Sequence, residues 1–232
     1  QNLFDEKFGY GGMTWGVDEV LTVLQRLNKV EPTIVVGVWN TSERWREYMP
    51  QKPFESLSDS LKARLRSEQK GAPMSDAYLK FLVKELKPFV DKKYNTLPDK
   101  ENTIIMGSSM GGLISWYAAC EYPEVFGAAG CVSTHWPGAV PEGPDEIPQA
   151  FFSYLENRMK PVNNQRIYFD FGTETLDAFY EPLQKRADSV MRRNGFEEGK
   201  NWITRKFVGH RHDEASWNKR LHVPVLFLMG SE

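Results

Sequence analysis

Thr103-Ile104-Ile105-Met106-Gly107-Ser108-Ser109-Met110-Gly111-Gly112 decides how this chain is read. Its first four residues are apolar or β-branched and read as a short buried strand. A Gly-x-Ser-x-Gly turn follows, and Leu113 to Glu121 then reads as a helix. Strand, tight turn and helix in that order form a nucleophile elbow, a turn that strains the backbone of its central serine and exposes the hydroxyl. Gly107 and Gly111 lack side chains, which lets strand and helix approach closely, and Gly112 adds to that closeness. Ser109 is expected at the carboxyl edge of a sheet. A helix N-terminus behind it favours a developing negative charge. An ordinary glycine turn capped by serine would carry the same letters, but it would not need the flanking strand and helix.

The totals bound what surrounds this elbow. At 232 residues the chain fits one domain, residues 1–232, with a sizeable core. A formal charge of -2 leaves no basic footprint, which excludes nucleic acid as an expected partner. No apolar run approaches membrane-spanning length. Cys120 and Cys131 fall on a predicted helix and a predicted strand and read as small core residues, not as a disulfide framework. The chain opens Gln1-Asn2-Leu3-Phe4 with no signal peptide, and a leader removed earlier would leave no trace.

Taken in order, residues 1–16 read as a Gly-rich and aromatic-rich loop. Val17, Val20, Leu21, Leu24 and Leu27 recur at helical spacing, so 17–29 is an amphipathic helix. Thr33 to Val38 is a continuous apolar run, as expected of a parallel strand buried on both faces. Residues 39–53 form a polar loop rich in Arg and Trp, and 57–66 holds one short helix. Ser75 is the expected N-cap of a helix through Phe89, bent or ended near Pro88. Beyond the elbow come a strand at 126–133, a long loop at 135–148, a short helix at 150–159 and a strand at 167–171. A helix at 176–194 is closed by Gly195, and 202–208 alternates as a half-exposed strand. A last helix from Glu214 is interrupted near Pro224. Five strands alternating with helices predict a three-layer α/β domain with a mostly parallel sheet.

An acyl-transferring serine needs a base in hydrogen-bond reach and an acid to orient that base. In this arrangement they follow in chain order: Ser, then Asp or Glu, then His. There are four histidines. His135 and His222 compete poorly, because one directly follows the strand after the elbow and the other lies in an apolar helix. His210 and His212 both lie just past the final strand, where the base belongs. The acid belongs after the penultimate strand, where Glu174 and Asp177 are both candidates and Asp177 is preferred. The Met110 N–H and a second N–H from an earlier loop would hold the oxyanion. No cofactor is implied, since neither His-x-Glu nor Cys-x-x-Cys zinc spacing is present.

Gly-Ser-Ser-Met-Gly-Gly, Gly-Thr-Glu-x-x-Asp and Gly-x-x-His-x-Glu-x-x-Trp together resemble the esterase D-like "putative esterase" family of the α/β-hydrolase fold. That family includes feruloyl and acetylxylan esterases, siderophore esterases and mycolyltransferases. The resemblance runs from Gln1 to the C-terminus. It implies carboxylic-ester hydrolysis by a Ser-His-Asp triad: Ser109, His212 (five residues before Trp217, which selects it over His210) and Asp177. It also implies a small-molecule or carbohydrate ester as partner, leaves homo-oligomerisation open, and favours an extracytoplasmic or secreted location.

By the same resemblance Gln1 lies in a loop similar to Asp-Gly-Gln-Asn-Leu-Phe-Asp and supplies the second oxyanion N–H. The five strands are then the last five of eight, and the sheet centre between 33 and 103 is filled by upstream chain or by another molecule. Trp39, Arg44, Trp45 and Trp136 follow strand ends on the expected active face. Trp39 and Trp136 are the proposed stacking residues for a sugar-linked or aromatic ester, although tryptophans there would equally cover the sheet. Acyl transfer to a sugar or lipid acceptor, and a non-catalytic binding module on the same fold, are the alternatives.

Overall fold

The computed structural model describes residues 3–5, 7, 12–161 and 165–230. Its frame is four parallel strands: β1 (Ile104–Ser108), β2 (Ala128–Val132), β3 (Arg166–Gly172) and β4 (Trp202–Phe207). They pair in the order β1-β2-β3-β4. Ile104 stands opposite Ala128, Ala128 opposite Arg166, and Ile167 opposite Trp202. All four chains therefore leave the sheet at one rim, the side on which open α/β sheets place their ligands.

The helices follow from the punctuation. Ahead of the sheet come α1 (Val17–Arg26), α2 (Arg44–Tyr48), α3 (Gln51–Glu55), α4 (Asp59–Glu68), α5 (Ser75–Phe81) and α6 (Lys87–Lys93). Between and after the strands lie α7 (Met110–Glu121), α8 (Glu146–Arg158), α9 (Glu181–Arg193), α10 (Glu214–Arg220) and α11 (His222–Met229). Alternate residues of each strand feed opposite layers. Ala129, Cys131, Ile167, Phe169 and Trp202 pack with α7, α8 and α9. Ala128, Val132, Tyr168 and Ile203 pack with α1, α10 and α11. This is the expected α/β architecture of three layers, and both cysteines are buried and unpaired in it.

Several boundaries differ from the sequence reading. Among the described residues four strands form, not five. Thr33 to Val38 joins no ladder among the described residues, and Ile34, Val35 and Val36 are exposed instead of buried on both faces. Apolar side chains do not make a strand unless a neighbour accepts and donates along its backbone. Ser75 is not the N-cap: Met74 is, and the Ser75 hydroxyl accepts from Gln51 N at 2.9 Å, tying α5 to α3. Pro88 does not end its helix. A π turn at Leu82–Leu86 precedes it and α6 continues, because a widened turn absorbs both the missing N–H and the ring clash. Pro224 does break the last helix, which divides at Leu221 into α10 and α11.

Candidate active site

The elbow adopts the strained geometry its sequence demands. Ser109 sits at φ 58°, ψ −120° between β1 and α7, a region that costs a non-glycine residue on the order of 1–3 kcal/mol. Surrounding bonds hold it there. Its N–H donates to Val132 O at 2.9 Å, and its carbonyl accepts from His135 N at 3.2 Å. The glycines divide the work unevenly. A Cβ on Gly107 would come within 2.8 Å of the Gly111 backbone, and one on Gly112 within 2.9 Å of Thr134 Oγ1. A Cβ on Gly111 would meet nothing, so Gly111 contributes backbone to the close approach, not a missing side chain. Met110 opens α7, where helix N–H groups lack intrahelical acceptors and can serve an anion.

Past β3 the chain forms a 3-10 turn (Thr175–Phe179) that buries Asp177. Past β4 it forms the histidine loop, and the two are laced together by backbone. Gly209 N donates to Thr173 Oγ1 and His212 N to Thr175 Oγ1, both at 2.9 Å, while Thr173 N and Glu174 N share the His210 carbonyl at 3.0 Å. Gly172 allows this, because a Cβ there would overlap the His210 carbonyl oxygen. His212 Nδ1 thereby lies 2.6 Å from Asp177 Oδ1. Asp177 Oδ2 accepts from Ser133 Oγ at 2.6 Å and from Gly172 N at 2.5 Å. Burial pushes the Asp177 carboxyl up, yet its bonds to His212, Ser133 and Gly172 outweigh that and hold it below the ordinary carboxylate range.

The imidazole of His212 is wedged edge-on between two rings, Trp217 at 5.1 Å and Tyr180 at 5.7 Å between centroids. Trp217 also donates Nε1–H to Ser133 Oγ at 3.0 Å, which gives the five-residue spacing from His212 a physical role. Among the described residues no hydrogen bond joins Ser109 Oγ to the imidazole. The two are linked through the β2 rim: Ser109 is bonded to Val132, and the next residue, Ser133, is bonded to Asp177. A cleft of about 410 Å³ opens beside His212, lined in part by Met13, Thr175, Leu176 and Arg211.

The remaining candidates separate clearly. The Glu174 side chain is exposed and reaches no histidine, leaving Asp177 as the carboxylate bonded to an imidazole. His210 turns its Nδ1 to Ser216 O at 3.3 Å. His135 is buried between Tyr180 Oη and Ala139 O, each 2.7 Å away, and burial lowers its pKa to about 4. Trp136, expected to stack on substrate, does not reach the surface. It is fully buried, bonds Gln184 Oε1 at 2.8 Å and stacks on Trp116, because the chain after β2 turns inward under α8. Trp39 is 56 % exposed. Trp45 ties its segment to Gly138 O at 3.3 Å, and Arg44 lies over the Tyr48 ring. Gln1 lies outside the described residues. Sequence reasoning missed Ser133, Asp170 and Arg220, which approach Asp177 from just past β2, from β3 and from α10 and carry no motif of their own.

No group of three or more His, Cys, Asp or Glu side chains capable of holding a metal occurs among the described residues, nor does a helix long and apolar enough to cross a membrane.

A parallel α/β sheet with a strained serine elbow and an Asp-His pair on one rim is the arrangement of an α/β-hydrolase-type protein. The sequence pattern of the family described as "Putative esterase" matches residues 14–228. The chain belongs to that family. It is 29% identical over 119 residues to the uncharacterized protein YbbA of Bacillus subtilis (strain 168), covering 51% of this chain and 44% of that protein. The chain thus spans less than half of the curated relative it matches. An IroE-like serine hydrolase from Shewanella oneidensis superposes with a TM-score of 0.66 at 17% identity, over 91% of this chain and 66% of that one. Enterochelin esterase from Shigella flexneri superposes at 0.64 and 21% identity, over 97% and 49%. At these identities the likeness is one of fold.

Proposed function

We propose that this protein is a serine hydrolase of carboxylic esters, with Ser109 as nucleophile, His212 as general base and Asp177 as the acid that orients it. The observation that carries the reading is the 2.6 Å bond between His212 and Asp177 at the rim where the elbow holds Ser109 at φ 58°. Nδ1–H directed to the carboxylate leaves Nε2 as the acceptor for the serine proton.

The reaction then runs in two steps. Nε2 takes the proton from Ser109 Oγ as Oγ attacks the ester carbonyl carbon. The tetrahedral oxyanion accepts from the Met110 N–H, and the family resemblance assigns the second donor to Gln1. Loss of one such donor typically costs roughly 3–4 kcal/mol of transition-state stabilisation. As the C–O bond breaks, the imidazolium returns its proton to the departing alcohol. Water, deprotonated by the same nitrogen, attacks the acyl-enzyme and releases the acid and free Ser109.

Within that class, the substrate is proposed to be a small ester with an aromatic or carbohydrate-linked acyl group. Its support is the exposed Trp39 ring, since Trp136 is enclosed in the core. The test is hydrolysis of a chromogenic ester panel differing in acyl size and sugar content, by the wild-type chain and by Ser109→Ala. Turnover by the wild type alone is expected, and equal turnover by both would end the reading.

A further inference from the structure

Arg220, at the end of α10, is 1% exposed, and its charge is spent in an unusual way. One nitrogen, Nη2, carries all its bonds: to Ser133 Oγ at 2.7 Å and Asp170 Oδ1 at 3.0 Å, with Asp177 Oδ2 at 3.7 Å. Nε and Nη1 are buried and meet no acceptor among the described residues. A guanidinium placed only to close an ion pair would present its two-nitrogen fork to the carboxylate. This one leaves two buried donors open, a cost that stability alone does not explain. The Phe207 ring, 5.0 Å from the guanidinium carbon, holds its face.

The geometry makes two carboxylates share one cation. Asp170, at the end of β3, accepts from Ser133 N at 3.0 Å and Tyr168 Oη at 2.8 Å as well as from Arg220. Asp177 is bound to the same Ser133 through its hydroxyl. Ser133 Oγ receives Trp217 Nε1–H and Arg220 Nη2–H and gives its own proton to Asp177. That direction is forced, since both other partners are obligate donors. We propose that Arg220 and Asp170 are positioning residues for the Asp177–His212 pair: through Ser133 they fix which Asp177 oxygen faces the imidazole, and they divide one positive charge between two carboxylates. This rests on the reading of Ser109, His212 and Asp177 as the reacting set.

Other titratable groups lie near the pair. His135 bonds Tyr180, whose ring packs edge-on against His212, and Glu214 of α10 lines the same cleft as His212. The histidine loop itself carries Arg211 and Asp213, which pair with each other at 3.6 Å. Of the charged groups described around Asp177, Arg220 and Asp170 are buried and share a hydrogen-bonded neighbour with it, so their charges are screened least.

The test is the pH dependence of kcat/KM for a chromogenic acetyl ester, with the full chain as wild type, Asp170→Asn, Arg220→Met and Arg220→Lys. Thermal melts read folding. Asp170→Asn frees the Arg220 charge for Asp177, so the acid limb should move down by about half a pH unit or more. Arg220→Met removes the cation and should move it up, with kcat falling about tenfold and KM changing less than about twofold. Arg220→Lys keeps the charge and should restore the limb toward its wild-type position. Folded Asp170→Asn and Arg220→Met variants with unmoved limbs would overturn the proposal. Should Arg220→Met fail to fold, the limb of Asp170→Asn still decides it. Wild-type inactivity on every ester would instead overturn the parent reading. NMR titration of the His212 imidazole, which needs no turnover, would then show whether these two charges bias the pair.

Discussion

Ser133 Oγ donates a 2.6 Å hydrogen bond to Asp177 Oδ2, while the other oxygen of that carboxylate faces His212 at the same distance. The Asp177 carboxylate is therefore held from behind as well as bonded in front. With Gly172 N as a third partner, Asp177 has little rotational freedom, and the imidazole inherits its orientation.

If orientation of the correct His212 tautomer is the role of Asp177, Asp177→Asn should lower kcat by about 10³–10⁴-fold with little change in KM. Glu174→Gln should stay within about twofold, since that side chain is exposed and reaches no histidine. Steady-state kinetics of the two variants side by side would separate the candidates. A larger loss in Glu174→Gln would reverse the assignment.

Gly172→Ala should act at a distance from the chemistry. Its Cβ would overlap the His210 carbonyl oxygen, onto which Thr173 N and Glu174 N also converge. Relief requires the histidine loop to move, at a cost of about 1–3 kcal/mol in stability. A displacement near 1 Å costs about a hundredfold in rate. Urea denaturation and kcat/KM on one preparation would show whether both fall together; a stable variant with normal kinetics would refute the lacing.

His135 makes stability depend on acid. Its folded pKa, about 4, lies below the 6.5 of the free side chain because burial disfavours the imidazolium. Above pH 6.5 neither state binds the proton, so His135 costs nothing. Between 6.5 and 4 the unfolded chain protonates first and stability falls, by as much as roughly 3 kcal/mol. Urea unfolding of the wild type at pH 7.5 and pH 4.5, compared with His135→Gln, should show a smaller pH difference in the variant. Equal differences would mean that the site is hydrated.

Much of this was legible in the sequence, and the exceptions have a common cause. The elbow, the Gly-Thr-Glu-x-x-Asp turn and the His212–Trp217 spacing are local patterns, each set by a turn that only certain residues can make. The strands β1 to β3 announce themselves as apolar runs between breakers, and β4 as an alternating, half-exposed stretch. What failed depended on partners distant in sequence. Thr33 to Val38 has the composition of a buried strand, but no described neighbour pairs with it. Trp136 follows a strand end, as a substrate residue would, yet the turn after Thr134 carries it under Phe152 and Phe169. Arg220 and Asp170 are 50 residues apart, and nothing local distinguishes Arg220 from a solvated helix arginine.

The two tryptophans should part company under truncation. Trp136→Ala should cost about 3–5 kcal/mol of stability, and Trp39→Ala no more than about 0.5 kcal/mol. Trp39→Ala should raise KM for aromatic or sugar-bearing esters by about two- to tenfold and leave acetyl esters unchanged. Unchanged selectivity in Trp39→Ala would remove the basis for the proposed substrate class.

The central claim is that Ser109 becomes the acyl carrier. Intact-protein mass spectrometry after exposure to a fluorophosphonate should show one adduct on the wild type, mapped to Ser109 by peptide digestion, formed far more slowly in Asp177→Asn and absent in Ser109→Ala. Labelling elsewhere, or at the same rate in Asp177→Asn as in the wild type, would contradict the account.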